Sequence, residues 1–413
     1  MSRIFRFPVL PYALVTLALP SVAMFNHRGI VPLAILLAVT TLIHLGPRAV
    51  LAEARRIPKG ILFGLLGLIA VGAVSLLWAP HPKFETVSLL KFSGNIFVLF
   101  LVITGFRALD RDEGRIVLGA LWAGSFLIAI YLVSDLLLGG AVSLVVLKKS
   151  YVPSYGYFWF KAGINVILLS LIALSAHAVL GGRYIVAIGV VLLGIAIAVG
   201  IGSKTGAFGL ILGASTAGVY LMLGRFRMTL LRGTFISLVA SAPLLVWLAH
   251  AHEYASKYIS LKMSAGQSLI YRLHIWDFVM NKIAEKWMFG WGFASSRFLG
   301  GDAWLSDARF GEIGEALPLH PHNTALQIWL ELGLAGILPL CLFLYALFPS
   351  LKAFAHTRLE EFFVFTWAFA IIAHASFSYS PLSSWWIVTI GLTMGLLGLA
   401  LSTRAAPVGQ TPG

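Results

Sequence analysis

The stretch AGINVILLSLIALSAHAVL, residues 162–180, decides the fold, because it runs for 19 residues without an Asp, Glu, Lys or Arg. A helix needs about 20 apolar residues to cross the hydrocarbon core of a bilayer. Eleven more apolar stretches of comparable length are found at 8–25, 29–46, 61–79, 87–106, 116–138, 184–201, 206–224, 234–250, 324–349, 361–380 and 385–402. The sequence therefore predicts an all-α polytopic membrane protein with about 12 transmembrane helices.

The composition excludes an ordinary soluble enzyme. Of the 413 residues, 59% are hydrophobic and 11% are charged, whereas soluble proteins carry about 25% charged residues. The formal net charge is +14, from 30 Lys and Arg against 16 Asp and Glu. No basic run lies in a polar domain, so we predict no nucleic-acid partner. The single cysteine, Cys341, excludes an internal disulfide bond and a thiolate metal site.

The distribution of Lys and Arg predicts the orientation, because these residues concentrate in cytoplasmic loops. One set of alternating short segments, together with the termini, holds 16 of them: Arg3, Arg6, Arg48, Arg55, Arg56, Lys59, Arg107, Arg111, Arg115, Arg183, Arg225, Arg227, Arg232, Lys352, Arg358 and Arg404. The opposite segments hold seven: Arg28, Lys83, Lys91, Lys148, Lys149, Lys161 and Lys204. We therefore predict a multi-pass protein with both termini in the cytoplasm.

A long polar segment, residues 251–323, interrupts the apolar pattern and lies on the outer side by alternation. It follows predicted spans 1–9 (residues 1–250) and precedes spans 10–12 with a cytoplasmic tail (residues 324–413). Residues 268–287 predict an amphipathic helix at the outer interface, with an apolar stripe of Tyr271, Ile275, Phe278, Val279 and Ile283. The Gly- and acid-rich residues 300–317 predict irregular structure.

Two histidines stand at the mouth of the tenth predicted span. His320 and His322 precede it, and Asn323, Gln327 and Glu331 follow at four-residue intervals on one helical face. Imidazole titrates near neutral pH, so His322 is a candidate for proton transfer. For Gln327 and Glu331, the alternative is hydrogen bonding to neighbouring helices.

Cations gather at the outer ends of the predicted spans. Lys91 lies one turn inside span four, Lys161 precedes span six, Lys204 ends span seven, and Arg272 lies on the loop helix. Cations at headgroup depth are suited to a lipid-linked diphosphate, which Arg can bind through two parallel hydrogen bonds. The alternative is that such lysines reach out to lipid headgroups, which we favour for residues 148–149.

A metal site is the competing use of the histidines. His320 and His322, together with His250 and His252, could supply imidazole ligands. No cysteine and no close carboxylate pair accompanies them, since Asp302 and Asp307 lie in the predicted irregular stretch. We therefore predict no metal and no cofactor.

Three groups of residues carry a resemblance to a known family. They are Arg272-x-x-x-Trp276 with Gly290-Trp291-Gly292; His322-Asn323-x-x-x-Gln327-x-x-x-Glu331-x-Gly333-x-x-Gly336; and Gly202-Ser203-Lys204-Thr205-Gly206. The stretch SLLWAPHPKFETVSLLKF at 75–92 adds an early outer loop and the span after it. This pattern resembles the O-antigen ligase and polymerase superfamily, whose membrane architecture is GT-C-like. The family more often has Arg where Lys204 stands.

The resemblance implies an inverting, metal-independent glycosyltransferase of the bacterial inner membrane with a periplasmic active site. The donor would be O-antigen on undecaprenyl diphosphate, and the acceptor would be lipid A–core oligosaccharide. His322 would be the general base and Arg272 would hold the diphosphate. The remaining substrate-binding residues would be Lys204, Lys91, Lys161, Asn323, His320 and Trp276. The aromatic residues Trp276, Trp287, Trp291 and Trp304 could stack on sugars or anchor the loop at the interface.

Two other functions stay open from the sequence. An O-antigen polymerase would use the same donor but a second lipid-linked repeat unit as acceptor. We favour the ligase because a single large outer loop runs directly into the His322-Asn323 motif. A lipid-linked glycan transporter should place paired ionisable groups near the bilayer midplane, whereas here they gather at the outer edge. A purely structural scaffold would leave His322 and Arg272 unexplained.

Overall fold

The computed structural model describes residues 9–147, 160–249, 264–301, 303–307 and 311–403. Its helices are α1 (Val9–Phe25), α2 (Ile30–Ala54), α3 (Lys59–Ser75), α4 (Pro82–Ala108), α5 (Arg111–Leu137), α6 (Ala141–Leu147), α7 (Lys161–Leu180), α8 (Tyr184–Gly200), α9 (Lys204–Met222), α10 (Arg227–Ala240), α11 (Ala242–Ala249), α12 (Ser264–Glu285), α13 (Ser296–Leu299), α14 (Thr324–Lys352), α15 (Arg358–Phe377) and α16 (Ser384–Ser402). Two short strands, β1 (Trp304–Asp307) and β2 (Gly311–Glu315), pair antiparallel.

The protein is an all-α polytopic membrane protein, as the sequence predicts. Within the described residues, eight helices are long and apolar enough to cross a membrane. The pair α10 and α11 forms one further candidate span with a bend of 68°, and α1, α3 and α8 are shorter apolar helices. These elements coincide with the twelve apolar stretches of the sequence. How many of them cross the bilayer stays a prediction, as does the division into residues 1–250, 251–323 and 324–413.

The helix α7, which contains the stretch 162–180, is the centre of the bundle. It packs on α1, α8, α9, α15 and α16, and 83% of its most apolar window is buried inside the protein. The peripheral helix α8 shows the opposite pattern, because Ile185 is 87% exposed and Leu192 is 61% exposed. Such large apolar side chains are stable on the outside only where lipid replaces water.

A break in α14 ties the outer segment to the bundle. Gly333 has φ 59° inside the helix, a backbone conformation that favours glycine. The carbonyls before the break accept from the backbone N–H groups of Trp291 and Gly292, while the N–H groups of Leu334 and Ala335 donate to carbonyls of residues 287–288. Backbone groups freed by the break are therefore satisfied by the turn that follows α12.

The structure has a helix, α12 (Ser264–Glu285), over most of the predicted stretch 268–287, and it begins one turn earlier. The central part of its apolar stripe, Ile275, Val279 and Ile283, is buried against Leu326 and Leu330 of α14. This stripe therefore packs on protein, and whether α12 lies at the membrane interface stays a prediction. The prediction of irregular structure over 300–317 is wrong, because β1 and β2 form a hairpin whose register shifts between Leu305 and Ser306.

Candidate functional site

His322 lies in a strained turn at the start of α14. Its backbone has φ 56°, a conformation that residues other than glycine rarely adopt and that often marks functional sites. The next residue, Asn323, caps the helix, since its Oδ1 accepts from the backbone N–H of Leu326 at 3.1 Å. The turn is held because the backbone N–H of His322 donates to Nδ1 of His320 at 3.1 Å.

The contacts of His322 show which of its ring nitrogens carries the proton. Its Nδ1 lies 3.1 Å from the carbonyl oxygen of Ser378, which can only accept a hydrogen bond. Nδ1 must therefore carry the proton, and Nε2 of the neutral ring keeps a lone pair. His320 accepts through Nδ1, so its own proton is on Nε2. A histidine whose Nδ1–H is fixed on a carbonyl and whose Nε2 is bare has the arrangement of a general base.

The helix α12 brings two of the predicted residues onto this turn. Arg272 donates from Nε to the carbonyl oxygen of Phe377 at 3.0 Å. One helical turn later, the indole Nε1–H of Trp276 donates to the carbonyl oxygen of Pro321 at 2.9 Å. Trp276 thus holds the residue between the two histidines, which is a positioning contact. Its predicted role in binding substrate stays a prediction.

Both histidines are kept neutral by their surroundings. Burial, with smaller contributions from His322, Arg272 and Arg297, lowers the pKa of His320 to about 3. Burial also lowers the pKa of His322, an effect that Arg272 strengthens and the hydrogen bond to Ser378 opposes. The pKa of Arg272 is itself lowered by burial. The charge of Arg272 thus lowers the pKa of both histidine rings.

Two of the predicted lysines form a second group. Lys161, the first residue of α7, and Lys204, the first residue of α9, are close enough for their charges to repel. Between these helices, the hydroxyl of Ser203 donates to Oδ1 of Asn165 at 3.1 Å. The amide of Asn165 in turn donates to the hydroxyl oxygen of Tyr379. The phenolic proton of Tyr379 is then left to donate elsewhere, and burial raises the pKa of that phenol.

The segment 377–379 joins the two groups. Arg272 and His322 bond to its first two carbonyls, and Asn165 bonds to the side chain of its third residue. The ring of Phe208, one turn into α9, makes an edge contact with Phe377. The structure therefore connects Arg272 and His322 to the lysine pair through one three-residue segment.

The remaining predicted residues lie apart from this arrangement. Lys91 is exposed on α4, one turn before Asn95, whose amide donates to the hydroxyl of Ser384 at 2.8 Å. Glu331 is fully buried and accepts from the backbone N–H of Ala294 at 2.8 Å and from Gln327 at 2.9 Å. Its carboxylate thus supports the turn before α13. Lys148, Lys149, His250, His252 and Asp302 lie outside the described residues.

The tryptophans of the outer segment have different surroundings. Trp291 donates from Nε1 to the carbonyl oxygen of Lys282 at 2.8 Å, and the ammonium of Lys286 lies 4.0 Å from its ring centre. Trp287 and Trp304 are more than half exposed. Trp291 is therefore a packing residue, whereas a sugar or interface role for Trp287 and Trp304 stays a prediction.

Three features of the site are absent from the sequence prediction. Tyr379 and His374, whose ring centres lie 5.7 Å apart, both belong to the predicted span 361–380. A buried histidine at the end of an apolar helix is the signal that could have marked them. Arg297 on α13 lies 4.3 Å from the ring centre of Phe84 and within electrostatic reach of His320. The carbonyls of Phe377 and Ser378 leave no signal in a sequence.

The side chains around the two histidines carry positive charge. Among the residues that the structure describes, no three His, Cys, Asp or Glu side chains gather as possible metal ligands. The near neighbours of His320 and His322 are instead Arg272 and Arg297. Such a set of groups can hold an anion and accept a proton from a hydroxyl beside it.

Comparison with known proteins gives one family model and several relatives. Residues 188–341, which include Lys204, Arg272 and His322, match the O-antigen ligase family model. The chain is 35% identical over 187 residues to a protein of Rickettsia conorii named "Putative polysaccharide ligase", a match covering 43% of each chain. Relatives of the same name from Rickettsia typhi and Rickettsia prowazekii are 35% identical over 184 and 185 residues, covering 43% of this chain and 44% of theirs.

The chain thus spans less than half the length of the curated relatives that it matches. The family match covers the outer segment with α12 and the first half of α14, where the histidine turn and Arg272 lie. Residues 188–341 are therefore the part of this chain that is similar to the O-antigen ligase family.

Proposed function

We propose that the protein is an O-antigen ligase, a glycosyltransferase that moves a glycan from undecaprenyl diphosphate to lipid A–core oligosaccharide. The observation that carries this proposal is the pairing of His322 and Arg272 on adjacent carbonyls, Ser378 O and Phe377 O. It sets a neutral base beside a partly buried guanidinium, an arrangement suited to transfer from a diphosphate leaving group to a hydroxyl.

His322 is the general base in this mechanism. Nε2 takes the proton from an acceptor sugar hydroxyl as the hydroxyl oxygen attacks the anomeric carbon. The bond from that carbon to the diphosphate oxygen breaks, and the diphosphate leaves with the electron pair. Attack from the face opposite the leaving group inverts the anomeric configuration. A base placed in this way contributes about 10²–10⁴-fold to the rate.

The cations stabilise the leaving group. Arg272 keeps Nε on Phe377 O, and its planar guanidinium is the group that would hold a phosphate of the leaving diphosphate through charge-assisted hydrogen bonds. Lys161 and Lys204 repel each other, and an anion between two like charges relieves that repulsion. The phenolic proton of Tyr379 adds a neutral donor. Lys91 and Arg297 extend the basic surface around the same end of the bundle.

The membrane context follows from the orientation. We infer that the site lies on the periplasmic face of the inner membrane and that both termini are cytoplasmic, because most loop cations lie at the opposite end of the bundle. The lipid-linked donor then reaches the site from within the bilayer. Charge stabilisation comes from Arg and Lys, so the mechanism needs no metal.

A transfer assay tests the proposal. Purified protein is mixed with undecaprenyl-diphosphate glycan and lipid A–core under excess chelator, and products are separated by gel and mass spectrometry. We expect glycan on lipid A–core. Elongation on the undecaprenyl carrier would instead establish a polymerase. A product that forms only after a divalent ion is added would contradict metal independence, and no product under either condition would overturn the proposal.

A further inference from the structure

A second basic cavity lies at the opposite end of the bundle from His322. Its volume is about 630 Å³, and four helix ends surround it: the starts of α5 and α8 and the ends of α7 and α16. Its lining includes Arg115, Arg183, His177, Trp122 and Gly119. Since α7 spans 20 residues from Lys161 to Leu180, about 30 Å separate the cavity from the lysine pair.

We propose that this cavity binds the headgroup phosphate of an anionic phospholipid of the cytoplasmic leaflet. The side chains that face it bring positive charge from two different helix ends. Arg115 lies in the second turn of α5, and Arg183 precedes α8. Both arginines act electrostatically on His177 near the end of α7. Two guanidinium groups that face one cavity can hold one phosphate through charge-assisted hydrogen bonds.

The acidic groups nearby leave a net positive site. Asp112 is 3.7 Å from a terminal nitrogen of Arg115, and both side chains are about half exposed. An exposed pair of this kind is weak, so Arg115 keeps most of its attraction for an anion. Within the part of the chain that the structure describes, the cavity lining contains no Asp or Glu. Basic pockets between helices on the cytoplasmic side are suited to anionic lipid headgroups.

The rest of the lining fits an acyl chain. Leu180, Val186 and Ala400 line the cavity together with Trp122, and the neighbouring face of α8 is apolar and exposed, as Ile185 and Ile188 show. A free phosphate ion would gain nothing from these side chains. A phospholipid places its phosphate on the arginines and its glycerol and first methylene groups on the apolar wall, which commits the site to a lipid.

Gly119 supplies a steric test of the same cavity. It lies inside α5, and a Cβ built on it meets no atom within 4 Å. The Cβ of a substituted residue therefore meets open space at the cavity wall, where a leucine side chain would occupy part of the cavity, and leucine is a better helix former than glycine. Gly119→Leu keeps both arginines and removes space, whereas Arg115→Gln with Arg183→Gln keeps the space and removes charge.

The experiment titrates delipidated protein in detergent with phosphatidylglycerol and separately with phosphatidylcholine, and counts bound lipid by native mass spectrometry. We expect phosphatidylglycerol to bind more tightly than phosphatidylcholine. The double Arg→Gln variant should lose about 30-fold in affinity for phosphatidylglycerol, because each basic residue near a lipid phosphate contributes roughly fivefold. Gly119→Leu should also weaken binding. Arg111→Gln, an exposed arginine one turn earlier that does not line the cavity, is the matched control and should bind as wild type.

The contrary outcomes are specific. Equal binding of the two lipids, or wild-type affinity in the double Arg→Gln variant, would overturn the proposal. Displacement of phosphatidylglycerol by millimolar inorganic phosphate would show a free-anion site and would overturn it as well. Each variant is first checked by size-exclusion chromatography and thermal unfolding, and Gly119→Leu still tests the site if the double variant fails to fold.

Discussion

The Nδ1 atom of His322 lies 3.1 Å from the carbonyl oxygen of Ser378. The two residues are 56 positions apart, and the contact joins the turn before α14 to the turn after α15. The preceding carbonyl, Phe377 O, accepts from Arg272. Adjacent peptide groups therefore fix the tautomer of the base and the orientation of the cation, and they keep the spacing between the two groups constant.

The first prediction concerns the base. His322→Ala should lower kcat by about 10²–10⁴-fold, because the acceptor hydroxyl loses its proton acceptor. The variant should still bind the donor, which Arg272 and the lysines hold. Transfer is measured in the lipid A–core assay, and donor binding is measured by equilibrium binding to detergent-solubilised protein.

The control for His322→Ala is His356→Ala. His356 is exposed at the opposite end of the bundle, between α14 and α15, and its loss should leave the rate unchanged. If His322→Ala retains more than a tenth of the wild-type kcat, the assignment of the base is wrong.

The second prediction concerns the cation. Arg272→Lys keeps the charge but loses the Nε contact with Phe377 and the planar pair of terminal donors. We expect kcat/KM for transfer to fall by about 10- to 100-fold, within the range seen when one preorganised donor is removed. Lys282→Arg on the same helix affects a partly exposed pair with Glu285 and a contact with the Trp291 ring, both of which an arginine can keep, and it should be neutral. A near-normal kcat/KM for Arg272→Lys would remove the bidentate role.

The fold could be predicted because its signals are local. Each helix that lies against lipid needs a long apolar run, and the runs in the sequence coincide with helices of the structure. The stripe of Ile275, Val279 and Ile283 was equally local, since helical periodicity places those side chains on one face. What periodicity does not supply is the surface that the face packs against, which proved to be α14 rather than lipid.

The site could be predicted only in part, for a physical reason. His322 and Arg272 stand out because ionisable groups beside apolar helices are costly unless used. Their actual partners are the backbone carbonyls of Phe377 and Ser378, and every residue has a carbonyl. The hairpin at 304–315 was missed for a similar reason, because pairing of two short Gly- and acid-containing strands depends on a tertiary setting.

The third prediction concerns pH. The base must be neutral to act, and burial together with Arg272 lowers the pKa of His322. Activity should therefore be constant near neutral pH and should fall as the pH drops through a value below 6.5. In Arg272→Gln, the guanidinium no longer lowers the pKa of His322. The acidic limb of log kcat/KM against pH should therefore move to higher pH. An acidic limb at the same pH in this variant would mean that Arg272 does not influence the pKa of the group that titrates.

The fourth prediction concerns the break in α14. A Cβ on Gly333 would lie 2.5 Å from the backbone carbonyl carbon of Met288, and the residue has φ 59°. Gly333→Ala should therefore lower the free energy of unfolding by about 1–3 kcal/mol from backbone strain alone, and the contact with Met288 adds to that loss. Gly189→Ala in α8 is the matched control, because its Cβ meets nothing within 4 Å and φ is helical. Thermal unfolding in detergent measures both variants. Equal melting temperatures would mean that the turn after α12 accommodates the added methyl group without loss of stability. A lower melting temperature confined to Gly333→Ala, with loss of transfer, would mean that this break holds Arg272 in place beside His322.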